Sequence, residues 1–177
     1  LAHSVDAQDI DERIDALLAE HAGALSLTDA GIAGPGGERL VREGREAAFL
    51  ALGESHLNNE TPRLTAALLD ALKPAGYAAL AIETGPMIAE YAATELRAGR
   101  GEALAGLFAE VPFTAAFIDH APEFDLLERA VELDYALWGL DQVFIGGARF
   151  NLDRLVELAP DDEARRVAAA MLERAER

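Results

Sequence analysis

Glu54 and His56 stand two residues apart in Gly53-Glu54-Ser55-His56, so in a locally extended backbone their side chains project to the same side. A carboxylate beside an imidazole can orient the ring, strengthen it as a base or join it as a metal ligand. The competing reading is a histidine that only hydrogen-bonds a loop, and four residues alone do not choose between the two. Context weighs more. Residues 47–52 form a continuous apolar run of strand length that stops at Gly53, which reads as a strand buried on both faces and ended by a sharp turn. Such a strand end would present Glu54 and His56 to one pocket.

The pattern recurs downstream. Thr61 is placed to cap a helix with Pro62 at its first position, and Leu64, Leu68, Leu69 and Leu72 make its buried stripe up to Pro74 and Gly76. Residues 77–82 are a second apolar run, stopping at Glu83-Thr84-Gly85, which completes the strand-helix-strand unit of a parallel sheet. Helices follow from Pro86 towards Gly99 and over 102–110, with Met87 and Tyr91, four apart, on one packed face. Asp119-His120-Ala121-Pro122 then leads into a helix with Phe124, Leu127, Ala130 and Val131 inward, and a third apolar run over 135–140 stops at Asp141-Gln142. In open α/β sheets the ligand crevice lies beyond the carboxyl ends of the strands. Ends carrying Glu54 with His56, Glu83 and Asp141 therefore define a candidate catalytic site. His120 joins it, because a right-handed crossover starts the helix after His120 at that same edge, so its ring is expected to face Glu54, His56 and Glu83. The alternative is that Asp119 or His120 only caps the helix.

The flanking segments carry less. Ile10, Ile14, Leu17 and Leu18 have helical spacing within residues 9–23, an amphipathic packing helix closed by Gly23, with His21 favoured in its last turn by the helix dipole. His3 falls in a terminal stretch with no assigned role. Residues 28–45, with Gly31, Gly34, Pro35, Gly36 and Gly37, read as a loop without a cofactor role, since the glycines lack the order of a phosphate-binding fingerprint. Beyond Gln142 the pattern is helical, over 150–158 and then from Glu163 onward behind Asp161 and Asp162 as caps. The chain stops inside that pattern. It therefore reads as the amino-terminal part of a longer protein, with 1–145 as an α/β core carrying an amino-terminal helix and 146–177 as the start of a helical insertion.

With 177 residues, 51% of them hydrophobic, the chain is long enough to bury a substantial core. A net charge of -17 repels nucleic-acid phosphates and anionic membrane surfaces, so neither is expected as a main partner. No run approaches the length of a membrane span. The absence of cysteine removes disulfides and thiolate metal sites, so any metal must be held by His, Asp or Glu. Leu1 stands where an initiator Met would, which leaves a removed signal peptide and export, trimming, or cytoplasmic residence all open.

GESH followed by an Asn-containing turn and a Leu-rich helix, the LAIE strand and the later WGLDQ strand resemble the superfamily joining erythromycin esterases, Tiki and TraB-type proteins, and ChaN-like haem-uptake proteins. The resemblance covers residues 49–142, about half the chain, and the Gly-Glu-X-His spacing is closer to the ChaN-like pattern, since erythromycin esterases usually carry one more residue between Glu and His. It implies that Glu54, His56 and Glu83 fall on active-site positions, with Asp141 a weaker match, and it implies an ester or amide substrate. Those families continue into a second His-bearing motif that this sequence does not reach.

The expected fold is α/β, a parallel sheet of at least three strands flanked by helices in three layers, part of a larger sheet, with a helical carboxy-terminal segment. The leading expectation for function is a hydrolase of a small molecule or peptide, with His56 activating water, Glu54 orienting or co-ligating it and Glu83 supplying a second carboxylate. Glu54, His56 and Glu83 together suit a divalent metal such as Mn or Zn, while a metal-free route would use His56 alone. The alternative is a haem or iron-compound binding protein without turnover, with His56, His120 or Tyr91 as axial ligand. A structural domain whose site has decayed is the third class.

Overall fold

The computed structural model of the protein describes residues 7–115, 117–144 and 146–175, so His3 and Ile145 lie outside it. The chain divides into two compact units, residues 1–50 and 51–177.

In the first unit, helix α1 (Ala7–His21) forms where the spacing places it. The segment expected as a loop is instead ordered: strands β1 (Ser26–Thr28) and β2 (Gly31–Ala33) pair as an antiparallel hairpin, and helix α2 (Pro35–Glu46) follows. The glycines that suggested a loop are what permit this. Gly31 and Gly34 take φ of 110° and 86°, turning the hairpin and starting the helix, and Pro35 sits at a first helical position where its missing N–H costs nothing. Arg39 and Glu43, four apart, then pair on the helix surface at 2.7 Å.

The second unit contains helix α3 (Glu60–Leu72), strand β3 (Ala79–Ile82), helices α4 (Pro86–Arg97), α5 (Gly101–Glu110) and α6 (Ala121–Glu132), strand β4 (Ala136–Gly139), and helices α7 (Gly147–Glu157) and α8 (Asp162–Ala175). β3 and β4 are parallel, in the register Ala79 to Ala136 through Ile82 to Gly139. Helices flank this pair, as α4 and α6 both pack on β4. The expected larger, three-layer sheet is not present among the described residues, because the strand predicted over 47–52 does not form. Three of its six residues are alanine, a weak strand former, and Ala47 is already committed to closing α2 through its N–H to Gly44 O. Phe49 is left 90% exposed, which a doubly buried strand would not allow.

The core lies between the two-stranded sheet and its helices, with Leu104, Leu127 and Tyr135 fully enclosed. Each such large side chain contributes about 1.5–3 kcal/mol by leaving water. Tyr135 also satisfies its hydroxyl, donating to Leu69 O at 2.8 Å, which ties β4's entry to α3. Beyond the strand ends, Leu140 N–H donates to Ile82 O at 3.1 Å and Asp141 N–H to Thr84 O at 3.0 Å, so the two strand-end loops run side by side. No described helix is long and apolar enough to cross a membrane.

Candidate functional site

The turn carrying Glu54 and His56 is held from its carboxyl side. Asn58 Oδ1 accepts from the N–H groups of Glu60 at 2.9 Å and Thr61 at 2.7 Å, two of the donors left unpaired at the start of α3, and Asn58 Nδ2 donates to Ser55 O. One side chain thus caps the helix and ties it to the residue between Glu54 and His56. Asn58 performs the capping expected of Thr61. Leu57, beside His56, takes a φ of 62°, a left-handed conformation that costs a branched residue roughly 1–3 kcal/mol and persists only where neighbours fix it.

Glu83 enters where β3 ends. The result is a histidine between two carboxylates: His56 Nδ1 is 3.6 Å from Glu54 Oε1, and His56 Nε2 is 3.7 Å from Glu83 Oε2. Both separations exceed a direct hydrogen bond of about 2.7–3.2 Å, so neither carboxylate is hydrogen-bonded to the ring. The site faces solvent, with 35% of the His56 side chain and 54% of that of Glu83 exposed. Phe117 stacks on the imidazole at 3.9 Å and 12°, fixing the plane of the ring, and is itself backed edge-on by Phe144 at 5.9 Å. Like Leu57, Phe117 has a left-handed backbone, with φ 69°. Two strained bulky residues therefore flank one histidine, a feature that clusters at functional sites.

One donor atom from each of Glu54, His56 and Glu83 lies within 4.8 Å of the others. Donors sharing one ion at bonds of about 2.0–2.2 Å stand roughly 3–3.5 Å apart, so the trio fits a single divalent ion after small side-chain movements. Two carboxylates and one imidazole would leave further coordination positions of such an ion open towards solvent. Beneath it, a cavity of about 40 Å³ is lined by Glu54, Glu83, Thr61, Thr65, Phe117 and Glu123, among others.

Neither His120 nor Asp141 is among the groups that converge within 4.8 Å. His120 occupies the position before α6 but makes no side-chain cap bond; its Nδ1 is 2.9 Å from Asp119 Oδ1 and nearly half of its side chain is exposed. Asp141 uses Oδ1 to accept from the N–H of Gln142 at 2.7 Å, so its carboxylate shapes its own loop. Tyr91 packs edge-on against Phe150, with Arg154 over its ring. Phe117, Glu123 and Asn58 are the site residues that sequence reasoning missed. Only Asn58 carried a signal, as a favoured cap type just ahead of a helix.

No protein-family model matches this sequence, and no curated protein or solved structure is similar to it at a significant level.

Proposed function

We propose that the protein is a hydrolase acting on an ester or amide bond, with His56 as the group that activates water. The observation that supports this is the placement of His56 between Glu54 and Glu83, one carboxylate near each ring nitrogen, with the ring plane held by Phe117. In the direct route Glu54, closing from 3.6 Å to hydrogen-bond distance of Nδ1, would set the orientation of the ring. Nε2 then takes a proton from a water within hydrogen-bond reach of both it and Glu83 as the water oxygen attacks the substrate carbonyl carbon. Glu83 stabilises the imidazolium that results, and His56 returns the proton to the leaving alcohol or amine as its bond to carbon breaks. A divalent metal such as Mn or Zn, if bound by Glu54, His56 and Glu83, would supply Lewis-acid activation of that water. The open site suits a small molecule or a peptide that approaches from solvent. The haem-binding alternative has less support: the cavity of about 40 Å³ is far too small for a porphyrin, and Tyr91 is engaged with Phe150.

The test is a panel of simple esters and amides assayed with and without Mn or Zn. Turnover is expected to fall at least ~100-fold in His56→Ala, the lower end of what a general base contributes. Equal turnover by parent and variant on every accepted substrate would dispose of the reading.

A further inference from the structure

Glu123 is buried, 7% exposed, and its Oε2 is enclosed with no hydrogen-bond partner among the described residues. In sequence it passes for an ordinary first-turn acid of α6, where the helix dipole favours a carboxylate. That explains an exposed glutamate well and a buried one poorly. Removing a carboxylate from water without giving each oxygen a donor or cation costs several kcal/mol, and one such oxygen is a demand for a partner. Glu123 also lines the same cavity of about 40 Å³ as Glu54 and Glu83. A water needs ~10–15 Å³ of such space, so an ion with a water or two fits. Three carboxylates around one small space are mutually repulsive when it is empty of positive charge, in a chain whose net charge is already -17.

We propose that Glu123 is the inner-wall ligand of a divalent-cation site that it shares with Glu54, Glu83 and His56, and that it biases the site towards a hard, oxygen-seeking cation such as Mn2+ over Zn2+. This rests on the metal-assisted form of the function above. Glu123 is not one of the three groups that already converge within 4.8 Å; the cavity is what joins it to them. With it, the donors become three carboxylates and one imidazole, and oxygen-rich sets favour Mn2+ and Mg2+ where imidazole-rich ones favour Zn2+. Thr61 and Thr65 line the same space, and Thr65 Oγ1 already donates to Thr61 O at 2.8 Å, leaving its lone pairs free to face a cation or its water.

The experiment is calorimetric titration of the whole chain with Mn2+ and with Zn2+, in the parent and in Glu123→Gln, which keeps shape and removes the charge. The parent is expected to bind one Mn2+. Glu123→Gln should bind it ~10-fold or more weakly, the least expected for a ligand or its close support, with a smaller loss for Zn2+. The metal-free variant should melt at or above the parent, since an uncompensated carboxylate is gone, and its stabilisation by Mn2+ should shrink in step with affinity. Should Glu123→Gln fail to fold, Glu123→Asp, which keeps the charge and shortens its reach, takes its place with the same expected loss. Absence of Mn2+ binding by the parent at millimolar metal, or an unchanged affinity in the variants, overturns the proposal. The two readings fail separately. Weakened Mn2+ binding with no hydrolysis of any substrate leaves the cation site standing and removes the hydrolase, whereas His56-dependent hydrolysis with metal affinity indifferent to Glu123 does the reverse.

Discussion

Replacing Asn58 separates two jobs that one side chain performs. Its Oδ1 holds two N–H groups at the start of α3 and its Nδ2 holds Ser55 O, between Glu54 and His56. Loss of a capping side chain to alanine costs about 0.5–2 kcal/mol. The released groups lie at or near the surface and regain water, so the lower part of that range applies, about 1 kcal/mol. For a chain of this size that is a fall in Tm of about 2–4 °C. Asn58→Asp is the informative companion: it keeps an acceptor for both N–H groups and loses only the donor to Ser55. Urea unfolding should therefore show Asn58→Ala destabilised and Asn58→Asp close to the parent. Hydrolysis and Mn2+ affinity should fall in both, because both free the turn that presents His56. An alanine variant within ~0.3 kcal/mol of the parent, inside the scatter of ordinary surface changes, would remove the capping argument. An aspartate variant with parental activity and affinity would show that the tether to Ser55 does not position the site.

Two further outcomes test the frame around the site. Gly139→Ala should be strongly destabilising, about 1–3 kcal/mol or more, because a Cβ there would stand 2.6 Å from the carbonyl carbon of Gly85 and 2.7 Å from Thr84 O, backbone that cannot swing aside. Gly106→Ala, where nothing lies within 4 Å, should instead be neutral or stabilising, so equal thermal shifts in the two variants would contradict the packing of β4 against the loop after Glu83. Acid unfolding should carry the signature of Glu95, which is buried on α4 and whose carboxyl is held below the ordinary 4.5 chiefly by hydrogen bonds from Arg100 at 2.7 Å. A depressed folded value means that its stabilisation is complete above the unfolded value and is lost as the pH falls through the folded one. Glu95→Gln should thus lower stability at pH 7 and flatten its decline below about pH 4.5, and a parental acid limb in that variant would contradict the assignment.

The parts of this fold that were legible in the sequence are those where one local rule suffices. The apolar stripe of α3, Leu68, Leu69 and Leu72, is buried as its spacing requires, and β3 and β4 occupy two of the three apolar runs. The run over 47–52 shows the limit of that rule, since hydrophobicity states that a segment avoids water and not that a ladder partner exists. Its three alanines and the end of α2 decide against a strand. Residues 28–45 failed in the opposite sense, because Gly and Pro punctuate structure as often as they interrupt it.

The site divides along the same line. Glu54, His56 and Glu83 were legible because each follows an apolar run, and the trio converges even though the run before Glu54 is not a strand. What holds Glu54 and His56 is therefore the connection to α3 through Asn58, acting from the carboxyl side, rather than a sheet acting from the amino side. Phe117 and Glu123 were illegible for a related reason. They flank His120 by three residues on either side, and the expectation for this segment had put the His120 ring, not these two side chains, towards Glu54, His56 and Glu83. Asp119 holds the imidazole of His120, while Phe117 from the same loop and Glu123 from the first turn of α6 line the cavity. A neutral ring stacked on His56 and a buried carboxyl group lining the cavity differ in kind from the second imidazole expected there. On the function proposed above, the chemistry they would serve is that of a cation or a water held among carboxylates, with a single histidine as base.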